Sequence, residues 1–408
     1  MPSITALTPA ALGGPEWLVA RRAEAKAALE SAGLPGSSEE VWRYSPIDDL
    51  SLEDRDLASD AKRQPTPAIG AGTVLHVVAG RPAELDAAPQ GVQISLVSEH
   101  PEAGDLLGRL ADLEDSVVAL NTSAMLDGLV IDVAPNAVVV APILVLHHVG
   151  TGSNFPRLIV RLGQGAQAEI IECALGGDAS TLNVPVTELI VADRAVLGYG
   201  AVQDLGAGAW NLATVKSEVG QDATITQLTA GLGGGYDRIR TDVTLAGRGA
   251  NSVLRSTFLG TDTQVHDLRT VQDHQAPRTN SDLLCKGAVD DEAHSIYTGV
   301  IRVRHGAVRS DANQTNANLL LSTEARADSV PNLDISENDV RCSHASSVGP
   351  LDEDQRYYLE SRGVDPESAE RLLVRGFFRD LLERSTLTST AAWVRAELEA
   401  RLEGGVER

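Results

Sequence analysis

The chain has 408 residues, of which 57 are acidic and 34 basic, and its formal net charge is −23. A protein this acidic repels nucleic-acid phosphates and anionic lipid headgroups, so neither is an expected partner. Its three cysteines, Cys173, Cys285 and Cys342, lie too far apart for a CxxC pair or a disulfide framework, which favours a reducing compartment.

The first residues contain neither the basic segment nor the apolar core of a signal peptide. The most apolar run, residues 137–149, contains Pro142 and is shorter than the ~20 residues that a membrane helix needs. We therefore expect a soluble cytoplasmic protein.

The first part of the sequence contains both helix-like and strand-like segments. Residues 15–33 are rich in helix formers, with a proline suited to the first turn and a glycine suited to the C-terminal cap. Residues 39–50 resemble a short helix that ends before Pro46, alternating β-branched residues begin near residue 72, and residues 103–126 again read as helix. We assign residues 1–126 to an N-terminal helical and mixed region.

A short phrase then recurs, in which small turn residues precede an alanine. These alanines are Ala137, Ala166, Ala195, Ala223, Ala250 and Ala307. Successive intervals are 29, 29, 28, 27 and 57 residues, and the last is about double because a divergent copy near Thr279 occupies the missing position. A period of about 28 residues indicates a repeat architecture.

Each repeat contains two short alternating strands with Gly, Asn or Asp at the corners. Such units cannot bury a face alone, so they are expected to stack as a β-helix or a related solenoid. A β-sandwich would also accommodate the strands, but it gives no reason for the regular spacing. The fold class is therefore mainly β, with the solenoid over residues 127–350.

After Gly349 the pattern becomes helical, and residues 351–408 are expected to form a C-terminal helical domain. Asp365 is placed as an N-cap and Pro366 as the first helical residue. The apolar face of this helix consists of Ala369, Leu372, Leu373, Phe377, Phe378 and Leu381. That face either packs within the helical domain or binds a partner.

Cys342 and His344 are one residue apart, so on a strand they would project from the same side, roughly 6.6 Å apart at the backbone. Thiolate and imidazole can share a metal or sulfur atom, but two ligands do not complete a site. The pair is therefore either half of a site that another chain completes or two core residues at a strand end.

Other histidines and cysteines give no site of their own. His266, His274 and Cys285 match no zinc spacing, and the neighbouring His147 and His148 would point to opposite sides of a strand. Walker, GxSxG and HExxH motifs do not occur.

Three quoted stretches carry a resemblance to a known family: "HDLRTVQDHQAPRTNSDLLCKG", "GAVRSDANQTNANLLLSTEARADSVPNLDI" and "DVRCSHASSVGPLDEDQRYYLESRG". Together with "WRYSP" near the N-terminus, they resemble the SufB/SufD family of iron–sulfur cluster assembly proteins. The resemblance implies an N-terminal helical region, a right-handed parallel β-helix and a C-terminal helical domain.

Two positions distinguish the branches of this family. SufB-like chains carry a cysteine before the Leu-rich segment and a His-Glu pair near the end of the β-helix, where this chain has Thr315 and Ala345. SufD-like chains read Cys-Ser-His-Gly-Ala-Thr at the second place, which matches Cys342, Ser343 and His344 but not the next three residues. The resemblance is therefore to the SufD-like branch.

By this resemblance, the chain is a scaffold without turnover of its own. It would pair with a SufB-like subunit through the end of its β-helix and bind a SufC-like ATPase through its C-terminal helices, where Leu373, Phe377 and Phe378 are the candidate docking residues. His344 and, as the second candidate, Cys342 would be ligands of a transient iron–sulfur cluster at the subunit interface, with no permanently bound cofactor. A homodimer of the isolated chain is left open.

Two other functions were weighed against this one. A β-helix enzyme that acts on polysaccharides would need clustered acids on one solenoid face and a secretion signal, and neither is visible. A SufB-like, sulfur-accepting subunit is disfavoured by Thr315.

Overall fold

A computed structural model describes residues 3–53 and 55–403. In these ranges the α-helices are α1 Glu16–Ala32, α2 Ala103–Leu106, α3 Ser116–Ala124, α4 Glu353–Ser361, α5 Pro366–Glu383 and α6 Thr388–Leu402. Short 3-10 helices span Ile4–Ala6, Pro9–Leu12, Glu40–Trp42 and Ile47–Asp49.

All strands of the described ranges lie between α1 and α4 along the chain. They are β1 Thr73–Val78, β2 Arg81–Leu85, β3 Val92–Leu96, β4 Leu129–Val133, β5 Ile143–Val149, β6 Ser153–Asn154, β7 Arg157–Leu162, β8 Gln167–Gly176, β9 Leu182–Asn183, β10 Val186–Val191, β11 Val196–Leu205, β12 Trp210–Val219, β13 Thr224–Gly231, β14 Tyr236–Leu245, β15 Asn251–Gly260, β16 Val265–His274, β17 Asn280–Val289, β18 His294–Val303, β19 Asp311–Leu320, β20 Arg326–Ile335 and β21 Arg341–Gly349.

The strands form a parallel β-helix of about eight turns with a spacing of about 29 residues, which confirms the expected fold class. One sheet has the order β2-β1-β5-β8-β11-β13-β15-β17-β19-β21, and the other runs from β3 and β4 to β18 and β20. Antiparallel β2 and β3 lie at the N-terminal edges of these sheets. Each coil thus adds one strand to each sheet, and side chains alternate between the interior and the outer faces.

The recurring phrase is a tight turn at one edge of the solenoid. Arg194 and Asp222 have φ of 59° and 53°. Each is followed by a fully buried alanine, which is the last residue before the next strand begins. Arg278, with φ of 60°, precedes the buried Thr279 in the same way. Thr279 therefore occupies the missing position of the repeat, as the sequence predicts.

The turn that contains Ala307 differs from the sequence interpretation. It covers residues 304–310, whereas the turn before β15 covers only residues 246–250. Asn280 pairs with Asp311, so the residue that corresponds to the buried Thr279 in this turn is the buried Ser310. Ala307 lies earlier in this longer turn.

The N-terminal region packs on the outer face of the sheet that contains β12, β14 and β16. The "WRYSP" element takes part in this contact, because the guanidinium of Arg238 stacks 3.7 Å from the centre of the Trp42 ring. Ser45 Oγ lies 2.8 Å from the hydroxyl of Tyr236, and Arg269 donates to the carbonyl of Arg43. The element therefore fastens the N-terminal segment to the solenoid.

Helices α5 and α6 pack on the outer face of the other sheet. Asp365 accepts a hydrogen bond from the amide of Ser368 and Pro366 is the first helical residue, which confirms the predicted helix start. Lys286 on β17 forms an ion pair of 2.7 Å with Asp380, which ties α5 to the solenoid. Where the domain boundaries fall stays a prediction.

Buried histidines predict a loss of stability in mild acid. Burial lowers the pKa of His274 from 6.5 to about 4, and its ring nitrogens bond the hydroxyls of Thr279 and Ser281. The unfolded chain binds this proton at pH 6.5, so the stability contribution is present above pH 6.5 and is lost as the pH falls toward 4. From pH 7 to pH 5 we expect about 2 kcal/mol of loss from this residue.

The variant His274→Gln tests this expectation by urea unfolding at pH 7 and pH 5. Its loss of stability between the two pH values should be smaller than that of the unaltered chain. His305→Gln, at a histidine whose side chain is 94% exposed, is the control substitution. An equal pH dependence in all three proteins would contradict the assignment.

Candidate functional site

The C-terminal end of the solenoid has no further coil above it. Strands β20 and β21 are the last strands of their sheets, so their inward side chains are uncovered. Leu333, Ile335 and Val348 are 39%, 41% and 42% exposed, although their register places them over buried interior residues of the coil below. We call the inward-facing side chains of β20 and β21 the open end.

His344 and Cys342 both lie on the inward side of β21, as the sequence predicts for residues one apart on a strand. His344 is in register with the buried Gln314, and Cys342 with the buried Ala312. On the same side, Ser346 Oγ lies 2.7 Å from Ser329 Oγ of β20. The structure therefore places His344 near the middle of the open end, where its imidazole is exposed.

Cys342 has a different environment from His344. It is half-buried and packs against a small apolar cluster that includes Ile301 and Ala312. Burial, with a smaller effect from the charge of Asp311, raises the pKa of the Cys342 thiol. Its thiol is therefore neutral near pH 7 and must lose a proton before it can bind a metal.

A layer of three carboxamides lies directly below the open end. Gln314, Asn316 and Asn318 face inward from β19, and they are in register with His344, Ser346 and Val348. All three are buried. Only Asn316 Nδ2 among their side-chain polar atoms has a hydrogen-bond partner within the described residues, namely Ser329 Oγ at 2.8 Å. We call these three residues the amide layer.

Ion pairs border the open end on the outward face of β18 and β20. Arg302 pairs with Asp334 at 2.9 Å, and His294 and Arg326 both contact Asp328, at 2.8 and 2.9 Å. On this side of the solenoid, the acidic side chains beside the open end therefore have basic partners within the chain.

The described part of the chain contains no group of three or more His, Cys, Asp or Glu side chains that could hold a metal ion. His344 and Cys342 together offer two ligands at most, whereas tetrahedral metal and cluster sites use four. The arrangement can supply part of a coordination sphere at an exposed surface.

The candidate docking residues of α5 have unequal exposure. Phe378 is only 2% exposed and packs in the cluster that joins the helices to the sheet, so in this chain it is a core residue. Leu373 and Phe377 are half-buried, and Leu372 is 47% exposed. Leu372 lines a groove of about 270 Å³ between α5 and α6.

The remaining histidines that the sequence brings to notice are structural. His147 points into the solenoid and lies 2.9 Å from Glu172, while His148 points outward and accepts a hydrogen bond from the amide of Gln64. Although burial favours a protonated carboxyl, the hydrogen bond from His147, with those from Tyr199 and Thr187, lowers the pKa of Glu172. Sequence reasoning missed this buried acid, because its partners come from three different strands.

Comparison with known proteins identifies the family. Residues 146–377, more than half of the chain, match the family described as SUF system FeS cluster assembly, SufBD core domain. A SufBD family iron–sulfur cluster assembly protein of Mycobacterium tuberculosis is 30% identical over 386 residues, which are 92% of this chain and 91% of that protein. This chain belongs to the SufBD family of iron–sulfur cluster assembly proteins.

Relatives named SufD agree with the expected branch of the SufBD family. The SufD protein of Escherichia coli is 28% identical over 92% of both chains. The SufD protein of Bacillus subtilis is 36% identical over 194 residues, which are 47% of this chain and 44% of that protein. The resemblance to the SufD-like branch is thereby confirmed.

One further feature concerns the membrane. None of the helices in residues 3–53 and 55–403 is both long and apolar enough to span a bilayer.

Proposed function

We propose that this SufBD family protein is the SufD-like scaffold subunit of a SufB/SufC/SufD complex and has no turnover of its own. The observation that carries the proposal is the open end, where an exposed histidine stands among uncovered interior side chains. A solenoid normally covers its last coil with a polar cap, because uncovered apolar side chains favour association. The proposed cover is the corresponding end of a SufB-like subunit.

The cluster under assembly is the substrate of this complex, and His344 is proposed to hold part of it at the interface. A neutral imidazole nitrogen is a good ligand for iron, and the exposed position of His344 lets the partner supply the other ligands. Leu333, Ile335 and Val348 would keep water from the interface once the partner is bound. Cys342 is a weaker candidate, because its thiol must first ionise.

The SufC-like ATPase is proposed to dock on α5 and α6, and ATP hydrolysis is assigned to that partner. The exposed Leu372 and the half-buried Leu373 and Phe377 offer apolar surface to one helix or loop. Leu372 also lines the groove between α5 and α6, whose lining includes Arg375, Arg379 and Glu399. Phe378 would support this surface from below. The proposed location is the cytoplasm, where the three free cysteines would remain reduced.

Co-expression with SufB-like and SufC-like subunits of the same organism tests the assembly. We expect one stable complex in which this chain retains both partners through affinity purification and size-exclusion chromatography. A folded, monodisperse chain that binds neither partner would refute the proposal. A homodimer that dissociates when the SufB-like subunit is added would support it, because both partners would then use the open end.

The same purification distinguishes the surface proposed for the ATPase from the surface proposed for the SufB-like subunit. Leu372→Asp places a charge on the exposed part of α5 and should release the ATPase while the SufB-like subunit stays bound. Phe378→Asp buries a charge in the chain's own core, so it should lower the melting temperature before any partner is added. Retention of the ATPase by Leu372→Asp would reject this docking surface.

A further inference from the structure

The amide layer places unpaired polar atoms in the solenoid interior directly beneath the open end. Both polar atoms of the Gln314 and Asn318 carboxamides, and Oδ1 of Asn316, have no hydrogen-bond partner within the described chain. Gln314 and Asn316 are 1% and 0% exposed. Buried polar groups normally find partners, because leaving them unpaired is unfavourable. Five atoms in this layer therefore lack the hydrogen bonds that buried polar groups normally make.

The fold itself does not need an amide at position 314. The inward column that contains Gln314 and His344 carries Leu254 and Leu283 in the two coils below. Both leucines are buried. A leucine would fill the same space without unpaired polar atoms, so the carboxamide at 314 costs stability where a simpler side chain fits.

Gln314 lies next to His344, the candidate ligand, in the stack of strands. Register places Gln314 directly below His344, and neighbouring strands lie about 4.8 Å apart. Across the interior stands Gly299, where an added methyl group would collide with the Gln314 amide and with the hydroxyl of Tyr297. The missing side chain at 299 leaves room for the carboxamide, which lies there beside the Tyr297 hydroxyl without a hydrogen-bond partner among the described residues.

We infer that Gln314 is a positioning residue for His344: its carboxamide turns from its place beside Gly299 to hydrogen bond the imidazole, and so selects the ring nitrogen that faces the open end. Groups that orient a ligating histidine fix its tautomer and direction. Asn316 and Asn318 extend this polar layer beside it. That the oriented imidazole then binds a cluster rests on the proposed function, whereas the contact between Gln314 and His344 does not.

The isolated chain tests the contact. Gln314→Leu should leave the melting temperature unchanged or raise it by roughly 2 °C, because an unpaired buried amide is replaced by a side chain that already fits this column. At pH 8, the ¹⁵N spectrum of the His344 imidazole should show a changed ratio of the two neutral tautomers. Gln314→Met, which preserves the unbranched shape, serves as the second variant if the leucine disturbs folding.

Gln227→Leu is the matched control, since Gln227 is buried in the same inward column three coils below. It should leave the His344 tautomers as they are. An unchanged tautomer ratio in both Gln314 variants, or a fall in melting temperature of many degrees with Gln314→Met, would overturn the inference.

The complex with the SufB-like and SufC-like subunits tests whether loss of the Gln314 carboxamide weakens cluster binding. Gln314→Leu should lower the bound iron and sulfide about tenfold, the lower range for loss of a group that orients a ligand. In His344→Ala the same substitution should have no further effect, because Gln314 acts through the imidazole. If the unaltered complex binds no cluster, the proposed function fails, but the tautomer measurement still decides whether Gln314 positions His344.

Discussion

Replacing His344 with alanine is expected to leave this chain folded and able to bind its partners, yet to reduce cluster assembly by about a hundredfold. Loss of a direct ligand should cost at least as much as loss of a group that orients one, which is typically 10–100-fold. The side chain is exposed at the end of the solenoid, so its removal should change stability by no more than about 0.5 kcal/mol.

Anaerobic reconstitution of the purified complex measures this effect, with iron and acid-labile sulfide counted per complex. His305→Ala is the control, because His305 is another exposed histidine and lies on the turn before β19. It should assemble clusters normally. An equal loss of melting temperature and of cluster content in His344→Ala would instead indicate a structural histidine.

Placing arginines at Leu333 and Val348 is expected to separate the chain from its SufB-like partner. Both residues are interior side chains of the uncovered coil, and the proposed interface would bury them. Two buried charges without counter-ions would weaken binding by at least about 2 kcal/mol, or roughly 30-fold. The isolated double variant should remain folded, because these side chains already contact solvent.

Val138→Arg with Val140→Arg is the matched control for the interface. These valines are 58% and 94% exposed, but they lie near the first coils, far along the chain from β20 and β21. Titration calorimetry with the purified SufB-like subunit should give unaltered affinity for this control. Normal affinity of Leu333→Arg with Val348→Arg would mean that the partner binds another surface.

The repeat and the helix caps were predictable because local chemistry determines them. The helix predicted from Pro15 to Gly33 is α1, with Gly33 at φ of 76° as its cap. Strand alternation correctly placed Cys342 and His344 on one side. The sequence predicts a short helix that ends before Pro46 within residues 39–50 and a helix over residues 103–126. The structure has only short 3-10 turns in the first segment and two separated helices in the second.

Other features depend on which surfaces are covered, and periodicity does not contain that information. The apolar face of α5 was predicted, but the burial of Phe378 follows from the sheet beneath it. Alternation in "NQTNAN" places Gln314, Asn316 and Asn318 on one face, yet only the register shows that this face lies beneath His344. The amide layer was therefore missed, although its spacing was present in the sequence.

Crystallography of the assembled complex with anomalous scattering at the iron edge tests the central claim most directly. The proposal predicts an iron peak where the open end meets the SufB-like subunit, within about 2.1 Å of an imidazole nitrogen of His344, a normal metal–nitrogen distance. Iron held only by the partner, with His344 turned away or buried against protein, would contradict the account.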